Sequence, residues 1–471
     1  MRKVKVICTI GPTCSSDDMI QKMILAGMDL ARLNFSHGDH ESHSRIFAKL
    51  RKAAKVNHRP LAIIQDVQGP RIRLGEMENG QASLEAGQSF QLSCKPLKGN
   101  ARRASVQYPE LCKDVKKGDR ILLRDGTIQL RVTEVEGKDI YTKVVVGGDI
   151  TDHSGLNLPG ITISAPTITD KDKQDIKLGI ELGVDVVALS FVRSPEDVLE
   201  ARRLLRRANS SALVIAKIEH PDAVVQLDEI LDVCDGIMVA RGDLGVELPP
   251  EKVPAIQKSA IGHANARGKV VIVATQMLES MVHNPRPTRA EASDVANAVF
   301  DGADALMLSG ETASGKFPLE ALQMMVRIAQ EAENSPAVRT ALRPALLKDQ
   351  AVVPNALSKA AVMAAADVGA QIIVAYTASG QTARLVSDYR PDARIIALTP
   401  REDTFNRLSA YWGVEPFKVP PCRTTDAMLE QANRLLVERA LARPGDVVVI
   451  CSGVPIGQIG STNMVKLHRI H

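Results

Sequence analysis

Aromatic side chains are scarce in this chain of 471 residues: one Trp, five Tyr and eight Phe, or 3%. A surface that stacks bases on rings is not available, which argues against a nucleic-acid partner. Excess charge of one sign is missing too. Lys and Arg number 59 against 55 Asp and Glu, a net charge of +4, too small a surplus on so long a chain to make a polyanion-binding face. No apolar run approaches the length of a membrane span, so no membrane partner is expected. Met1-Arg2-Lys3-Val4-Lys5 leads into a short apolar run that stops at Gly11-Pro12, too short for a signal-peptide core and without a small-residue cleavage site. The cysteines, at 8, 14, 94, 112, 234, 422 and 451, form no C-x-x-C pair. Dispersed and odd in number, they fit buried thiols in a cytoplasmic protein better than a disulfide framework.

What the sequence has in abundance is alternation. Short β-branched runs at Val4–Ile10, Met28–Asn34, Leu61–Asp66, Asp185–Phe191, Leu213–Ile218, Gly236–Ala240, Lys269–Ala274 and Asp304–Ser309 are each followed by a helical pattern. Several, such as Val270-Val271-Ile272-Val273, are apolar throughout, as strands buried on both faces must be. Caps mark the helices: Ser194-Pro195-Glu196-Asp197 sets an N-cap before a proline, and Thr288-Arg289-Ala290-Glu291 is a capping box. Eight strands, each with its helix, are the count of a (β/α)₈ TIM barrel.

The rhythm breaks between Asp66 and Thr169, where short strands (Ile121–Leu123, Ile128–Val132, Ile140–Val146) and glycine turns take over. This reads as an all-β lid domain over 69–166, inserted after the third barrel strand, with the barrel over 1–68 and 167–335. A connection on that face of a barrel lies beside the site it can cover. Its basic run (Lys95, Lys98, Arg102, Arg103, Lys113, Lys116, Lys117, Arg120) is interleaved with acids and reads as a solvated face. Prolines at 336, 344 and 354 mark a linker over 336–355. A separate α/β domain over 356–471 follows, with a helix at Leu357–Asp367, strands at Ile372–Tyr376, Arg394–Leu398 and Val447–Cys451, and a last short strand near Val465.

Polar residues at the C-terminal ends of barrel strands converge on one site. Here they are Arg32, Asn34, Ser36, Asp66, Ser190, Lys217, Glu219, Asp243, Thr275 and Ser309. Glu219 and Asp243 are hard oxygen ligands suited to Mg²⁺ or Mn²⁺ held through few carboxylates. Lys217 and Arg32 are cations for a phosphoryl group in flight. The turn Gly242-Asp243-Leu244-Gly245 offers backbone N–H groups to a substrate anion. No His adjoins a Ser or Cys in a nucleophile-elbow pattern, which leaves transfer by positioning and charge. Gly310–Phe317 nearly matches a Walker A loop but lacks its closing Ser/Thr, so Lys316 reads as a loop lysine. These residues alone also suit a Mg²⁺-dependent barrel lyase or aldolase acting on a 2-oxo acid, or a catalytically silent sugar-phosphate sensor.

The segments Ile10-Gly11-Pro12, ARLNFSHG (31–38), Gly69-Pro70 with Ile72-Arg73, NLPG (157–160), Lys217-Ile218-Glu219, DGIMVARGDLG (235–245), ATQMLES (274–280), NPRPTRA (284–290) and LSGET (308–312) stand in order along nearly the whole chain. Together they resemble pyruvate kinase. The resemblance implies transfer of a phosphoryl group from phosphoenolpyruvate to ADP, giving pyruvate and ATP in glycolysis. It implies that Lys217 and Arg32 grip the phosphoryl group, that Glu219 and Asp243 hold Mg²⁺, and that Gly242, Asp243 and Thr275 receive the substrate carboxylate. It also places Thr275 in the relay that protonates the enolate, and Arg32, Asn34, His37, Arg73 and Lys171 near the nucleotide phosphates. A monovalent cation pocket is implied at Asn34, Ser36, Asp66 and the Val67 carbonyl. Potassium-dependent members carry Glu at the position of Arg71 and potassium-independent ones typically carry Lys, so Arg71 is expected to stand in for K⁺. The C-terminal domain resembles the family's regulatory domain. Thr377, Ser379, Gly380, Gln381 and Thr382 would take an allosteric sugar phosphate or nucleotide, with the loop over 453–463 as partner, and the assembly would be a homotetramer.

Overall fold

The computed structural model describes residues 2–335, 353–456, 460 and 462–471. Most of the expected linker, and Gly457 of the loop over 453–463, lie outside the described residues. The barrel strands are β1 (Lys5–Thr9), β2 (Leu30–Asn34), β3 (Ala62–Asp66), β4 (Val186–Leu189), β5 (Leu213–Ile218), β6 (Gly236–Ala240), β7 (Val270–Ala274) and β8 (Ala305–Leu308). They close in sequence order, every neighbour parallel. Alternate residues serve two cores, which is why the strands read as continuous apolar runs. Val6, Cys8, Ile63, Val187, Val271 and Val273 pack outward under the helices. Ile7, Leu30, Ile64, Ala188, Ile215 and Met238 fill the interior.

Most strands begin a residue or two later than their apolar runs, and four of the eight are preceded by an aspartate. Asp29, Asp185, Asp235 and Asp304 stand immediately before β2, β4, β6 and β8. Each accepts the first available N–H of the preceding strand: Val6 at 2.8 Å, Ile63 at 2.7 Å, Val214 at 2.8 Å and Val271 at 2.8 Å. Each is also paired with an arginine, Arg2 at 2.5 Å, Arg51 at 2.6 Å, Arg202 at 2.8 Å and Arg390 at 2.8 Å. The N-terminal end of the barrel is thus stitched at every second strand by a carboxylate that is both hydrogen-bonded and neutralised.

The strands of the inserted domain run from Ile72–Arg73 to Gly155–Asn157 and form a seven-stranded sheet and a two-stranded one. Leu74, Phe90, Leu92, Ile121 and Ile140 centre its own core. The residues of its basic run are all exposed, as a solvated face requires.

The C-terminal domain is a five-stranded sheet in the order Val414–Lys418, Arg394–Thr399, Ile372–Tyr376, Val447–Gly453, Thr462–Arg469, the last strand antiparallel. Strand Val414–Lys418 was not expected, because Pro416 interrupts it; it lies at the sheet edge, where a missing N–H is tolerated. The helix expected at Leu357–Asp367 starts at Val353, with Pro354 in its first turn, where proline costs no hydrogen bond. The expected linker therefore ends inside this helix. The final strand is eight residues long rather than short, paired along its length with Val447–Gly453.

This domain plugs the N-terminal mouth of the barrel. Leu408, Ala410, Tyr411 and Val414 join the same apolar cluster as the barrel interior. Lys5 Nζ donates to the Val414 carbonyl at 2.8 Å. Arg390, the fourth of the stitching arginines, comes from here and lies over the Trp412 ring, 4.8 Å from its centroid. Burial pushes the Asp304 carboxyl above its ordinary range, and Arg390 opposes that. Replacing Arg390 by Ala leaves a buried carboxylate without its partner, a change that typically costs about 3–5 kcal/mol. The Arg390→Ala protein should show a correspondingly lower urea midpoint; a loss under about 1 kcal/mol would show that the pair does not hold the domains together.

Candidate active site

The interior columns of the barrel change character at or near the C-terminal ends of the strands. Above Ile7, Leu30, Ile64, Ala188 and Ile215 stand Thr9, Arg32, Asp66, Ser190 and Lys217, pointing the same way because strand side chains repeat every second residue. They form one network. Arg32 Nε meets Asp66 Oδ2 at 2.6 Å, and its Nη1 donates to Thr9 Oγ1 at 3.0 Å. Lys217 Nζ donates to Ser190 Oγ at 2.7 Å and to Asp66 Oδ1 at 3.2 Å, and Ser190 passes its own proton to the Val67 carbonyl at 2.7 Å.

Glu219 completes the cluster and is fully buried. Its Oε2 accepts the Phe191 N–H at 2.7 Å. Its Oε1 lies 2.9 Å from Lys217 Nζ, yet no hydrogen bond is aligned between them, so this buried oxygen has no directed partner. Burial pushes Glu219 up to about 7; Lys217 opposes this and Asp243 adds to it. Asp66 behaves differently. Burial would raise it, but Arg32 and Lys217 outweigh burial and hold it below the ordinary carboxylate range. Lys217 stays charged, because Asp66 and Glu219 overcome the cost of its burial and raise it.

Two strained turns shape the rim. Thr275 and Gln276, just past β7, have φ of +74° and +55°. A β-branched residue rarely adopts this conformation, and such strain is kept where the surroundings fix it. Arg241 supplies the fixing: it donates to the Thr275 carbonyl at 2.8 Å and pairs with Asp294 at 2.7 Å. Gly242 lies against Thr275 so closely that a Cβ there would stand 2.6 Å from Thr275 Cγ2. Phe191, with φ of +53°, turns its N–H onto Glu219.

Between this rim and the inserted domain lies a cavity of about 250 Å³, faced by His37, Arg71, Arg73, Phe191, Asp243 and Glu247. Burial lowers His37 below its ordinary value, and Arg71, Arg73 and Arg32 lower it further. Asn34 Oδ1 accepts the Ser36 N–H at 3.2 Å, folding the turn that presents His37. Lys171 is not among the residues facing the cavity. Its ammonium is held by the Phe35 carbonyl at 2.9 Å and by Asp175 at 2.6 Å, so it grips the back of the same turn. Thr377, Ser379, Gln381 and Thr382 face a separate cavity in the C-terminal domain, about 130 Å³, where Gly380 at φ +92° caps the helix Gln381–Asp388. Lys316 has no phosphate cradle: Gly310–Ala313 is one helical turn whose buried Glu311 accepts the N–H groups of Leu278 and Ser309.

The sequence reading missed two contributors. The Phe191 N–H left no trace in the sequence, since a backbone donor and a positive φ leave none in a residue type that seldom adopts it. Glu247 was passed over because it lies at the end of the helix Arg241–Glu247, beyond the glycine turn. A divalent cation fits the donors present. Glu219 Oε1 is buried without a directed hydrogen bond, 2.9 Å from Lys217 Nζ, and Asp243 is half-buried nearby. Two carboxylates with open positions suit Mg²⁺ or Mn²⁺.

A family model described as pyruvate kinase, barrel domain, matches residues 1–322, and one described as pyruvate kinase, alpha/beta domain, matches residues 355–468. The chain is similar to the pyruvate kinase of Geobacillus stearothermophilus, 48% identical over the whole of this chain and 80% of that one. It is 46% identical to the pyruvate kinase of Staphylococcus aureus strain MRSA252, over the whole of this chain and 81% of that one. Among solved structures, a pyruvate kinase from Cryptosporidium parvum superimposes with a TM-score of 0.92 at 39% identity, covering all of this chain and 96% of that one.

Proposed function

The chain belongs to the pyruvate kinase family and carries a phosphoryl group from phosphoenolpyruvate to ADP, giving pyruvate and ATP, and we propose that it does so by charge neutralisation centred on Lys217. The observation that carries this reading is the buried ammonium of Lys217, kept charged by Asp66 and Glu219 at the top of the barrel. A phosphoryl group in transfer needs fixed positive charge more than it needs a covalent partner. Lys217 and Arg32 provide it, and the Asp66 carboxylate between them keeps both in place. Glu219 and Asp243 would hold Mg²⁺ or Mn²⁺, which supplies further positive charge opposite the phosphoryl oxygens.

The remaining roles follow the same geometry. The backbone N–H groups of Gly242-Asp243, which lie in the first turn of the helix Arg241–Glu247 and not in the loop turn expected from the sequence, receive the substrate carboxylate together with the adjacent Thr275 hydroxyl. Thr275 also stands in the proton path to the enolate once the phosphoryl group has left. Arg32, Asn34, His37 and Arg73 meet the nucleotide phosphates. Lys171 acts on them from behind, through the turn it anchors at Phe35.

A monovalent cation is not required in this reading. Asp66 is bound by Arg32 and Lys217, the Val67 carbonyl accepts from Ser190, and Asn34 Oδ1 accepts from Ser36, so these oxygens already have protein donors. Arg71 adds a permanent charge at the cavity rim, close enough to lower His37.

In the C-terminal domain, Ser452 is 1% exposed, its hydroxyl has no partner among the described residues, and it faces the cavity beside Thr377 and Thr382. The described residues that face this cavity include no Lys or Arg, and Leu398, Val419 and Pro420 give it an apolar wall. Hydroxyls and the N–H groups at a helix start suit one phosphate group rather than two. We therefore assign the effector as a monophosphate, of a sugar or a nucleoside. The seven free cysteines fit a reducing cytoplasm. A homotetramer would cover apolar side chains now open on the C-terminal domain, such as Val353 and Met363.

Three measurements test these assignments. Lys217→Met should fold, because the side chain is similar in volume, and lose about 10²–10³ in kcat for pyruvate formation. A loss within about threefold of wild type, far short of that range, would remove Lys217 from the centre of the mechanism. Pyruvate formation should be complete in potassium-free buffer, and Arg71→Glu should make it respond to added K⁺; a wild type that works only with K⁺ discards Arg71 as the fixed cation. AMP or glucose 6-phosphate should bind, by calorimetry, at least about tenfold more tightly than fructose 1,6-bisphosphate, given how little unpaired charge a cation-free site can hold. The reverse order would overturn the monophosphate assignment.

A further inference from the structure

The turn after β2 carries His37 to the cavity and then runs straight into the helix His40–Val56. Three contacts hold its backbone. The Phe35 N–H donates to the Asp66 carbonyl at 2.9 Å, and the Phe35 carbonyl accepts from Lys171 Nζ at 2.9 Å. The His37 carbonyl lies 2.8 Å from Nε2 of His43, a residue three places into the helix. A carbonyl can only accept, so this contact puts a proton on Nε2. Nδ1 of the same ring is buried and has no partner among the described residues. A proton there would be an unmet buried donor, so the ring is neutral and its one N–H points at His37. Burial lowers His43 below its ordinary value, in the same sense.

The ring is also stacked on Phe35, with centroids 3.9 Å apart and planes 7° from parallel. One side chain thus meets the turn twice, at the Phe35 ring and at the His37 carbonyl. Gly38, at φ +78°, closes over it: a Cβ there would stand 3.4 Å from His43 Nε2 and 3.0 Å from Ser42 Oγ. Packing alone would not ask for a histidine, since the same buried face of the helix carries Phe47 and Leu50. A phenylalanine could stack on Phe35 equally well. What the imidazole adds is a donor, and the atom that it serves is the His37 carbonyl. Lys171, paired with Asp175 at 2.6 Å, fixes where the turn starts. His43 fixes where it ends.

We propose that His43 is a positioning residue for the nucleotide: stacked on Phe35 and donating to the His37 carbonyl, it sets how His37 enters the cavity and so tunes the affinity for ADP. Phosphoenolpyruvate should be indifferent to it, because Lys217, Asp243 and Thr275 are held by other strands and turns. This inference rests on the nucleotide role given to His37 above; the hold of His43 on the turn does not.

The test compares His43→Phe, which keeps the stacking and removes the donor, with His43→Gln, whose amide nitrogen falls near the place of Nε2. Steady-state kinetics give KM for each substrate, and calorimetry with ADP and Mg²⁺ gives Kd. His43→Phe should raise Kd and KM for ADP by about tenfold, the upper end for one neutral hydrogen bond, and leave KM for phosphoenolpyruvate within about twofold. His43→Gln should recover most of the ADP affinity. Should His43→Phe not fold, His43→Asn takes its place, since its shorter amide falls near Nδ1 and cannot reach the His37 carbonyl. A donor-free variant that binds ADP as the wild type does would overturn the proposal. So would a Gln variant no better than the donor-free one, or a KM for phosphoenolpyruvate that rises as far as that for ADP. If the wild-type protein binds no ADP and makes no pyruvate, the transfer assignment fails instead. Backbone hydrogen exchange over residues 35–38 then still decides the hold on the turn: faster exchange in the donor-free variant alone supports it, and equal exchange in all the proteins overturns it.

Discussion

The whole structure depends on the stitching of the barrel at its N-terminal end. At the floor of the barrel the first N–H of β1, β3, β5 and β7 goes to a backbone carbonyl, which leaves the N–H of the second residue to be met, and an unpaired donor there is expensive. Asp29, Asp185, Asp235 and Asp304 answer this at every second strand, and Arg2, Arg51, Arg202 and Arg390 neutralise them. The fourth arginine belongs to the C-terminal domain, so the barrel is finished only when that domain is docked. Leu408, Ala410, Tyr411 and Val414 then seal the same interior that Ile7, Leu30 and Ile215 begin.

With the floor closed by paired charges, the opposite end can hold charges that are not fully satisfied. Register carries the consequence upward. Because side chains alternate, fixing Val6, Ile63, Val214 and Val271 at the bottom fixes which residues point inward at the top, and these are Thr9, Arg32, Asp66, Ser190 and Lys217. A slip of one residue in any strand would turn its polar member out among the helices and bring an apolar one into the site.

Much of this was legible in the sequence, for physical reasons. The eight strands were visible because burial on both faces demands uninterrupted apolar runs, and the polar top layer was visible because it ends those runs. Lys217, Glu219, Asp66 and Arg32 do meet. The strand Val414–Lys418 was hidden by Pro416, which only an edge position can accommodate, and edge or centre is a property of the assembled sheet. Lys171 was expected beside the nucleotide phosphates, but its ion pair with Asp175 directs it to the Phe35 carbonyl rather than into the cavity. The Phe191 N–H and the positive φ of Thr275 are features of backbone geometry that residue type does not announce. Glu247 was illegible for another reason: a Glu at a helix end is ordinarily a solvated group, and only the folded chain shows it buried.

The balance at Glu219 shows how the site holds a buried ion pair, Oε1 2.9 Å from Lys217 Nζ, without a directed hydrogen bond between them. Burial and the neighbouring Asp243 push Glu219 up to about 7, and Lys217 opposes them by favouring the ionised carboxylate. Its Oε1 lies close to the lysine but is not aligned with it. The ammonium is therefore committed by geometry to Ser190 and Asp66 and by charge alone to Glu219. A positive centre that satisfies Oε1 would make Glu219 fully anionic and relieve Lys217 of that attraction. The lysine would then face an incoming phosphoryl group with one fewer competing anion. A cluster in which every charge already had its hydrogen-bonded partner would have no such response to give, which is a physical reason for leaving one buried oxygen unmet.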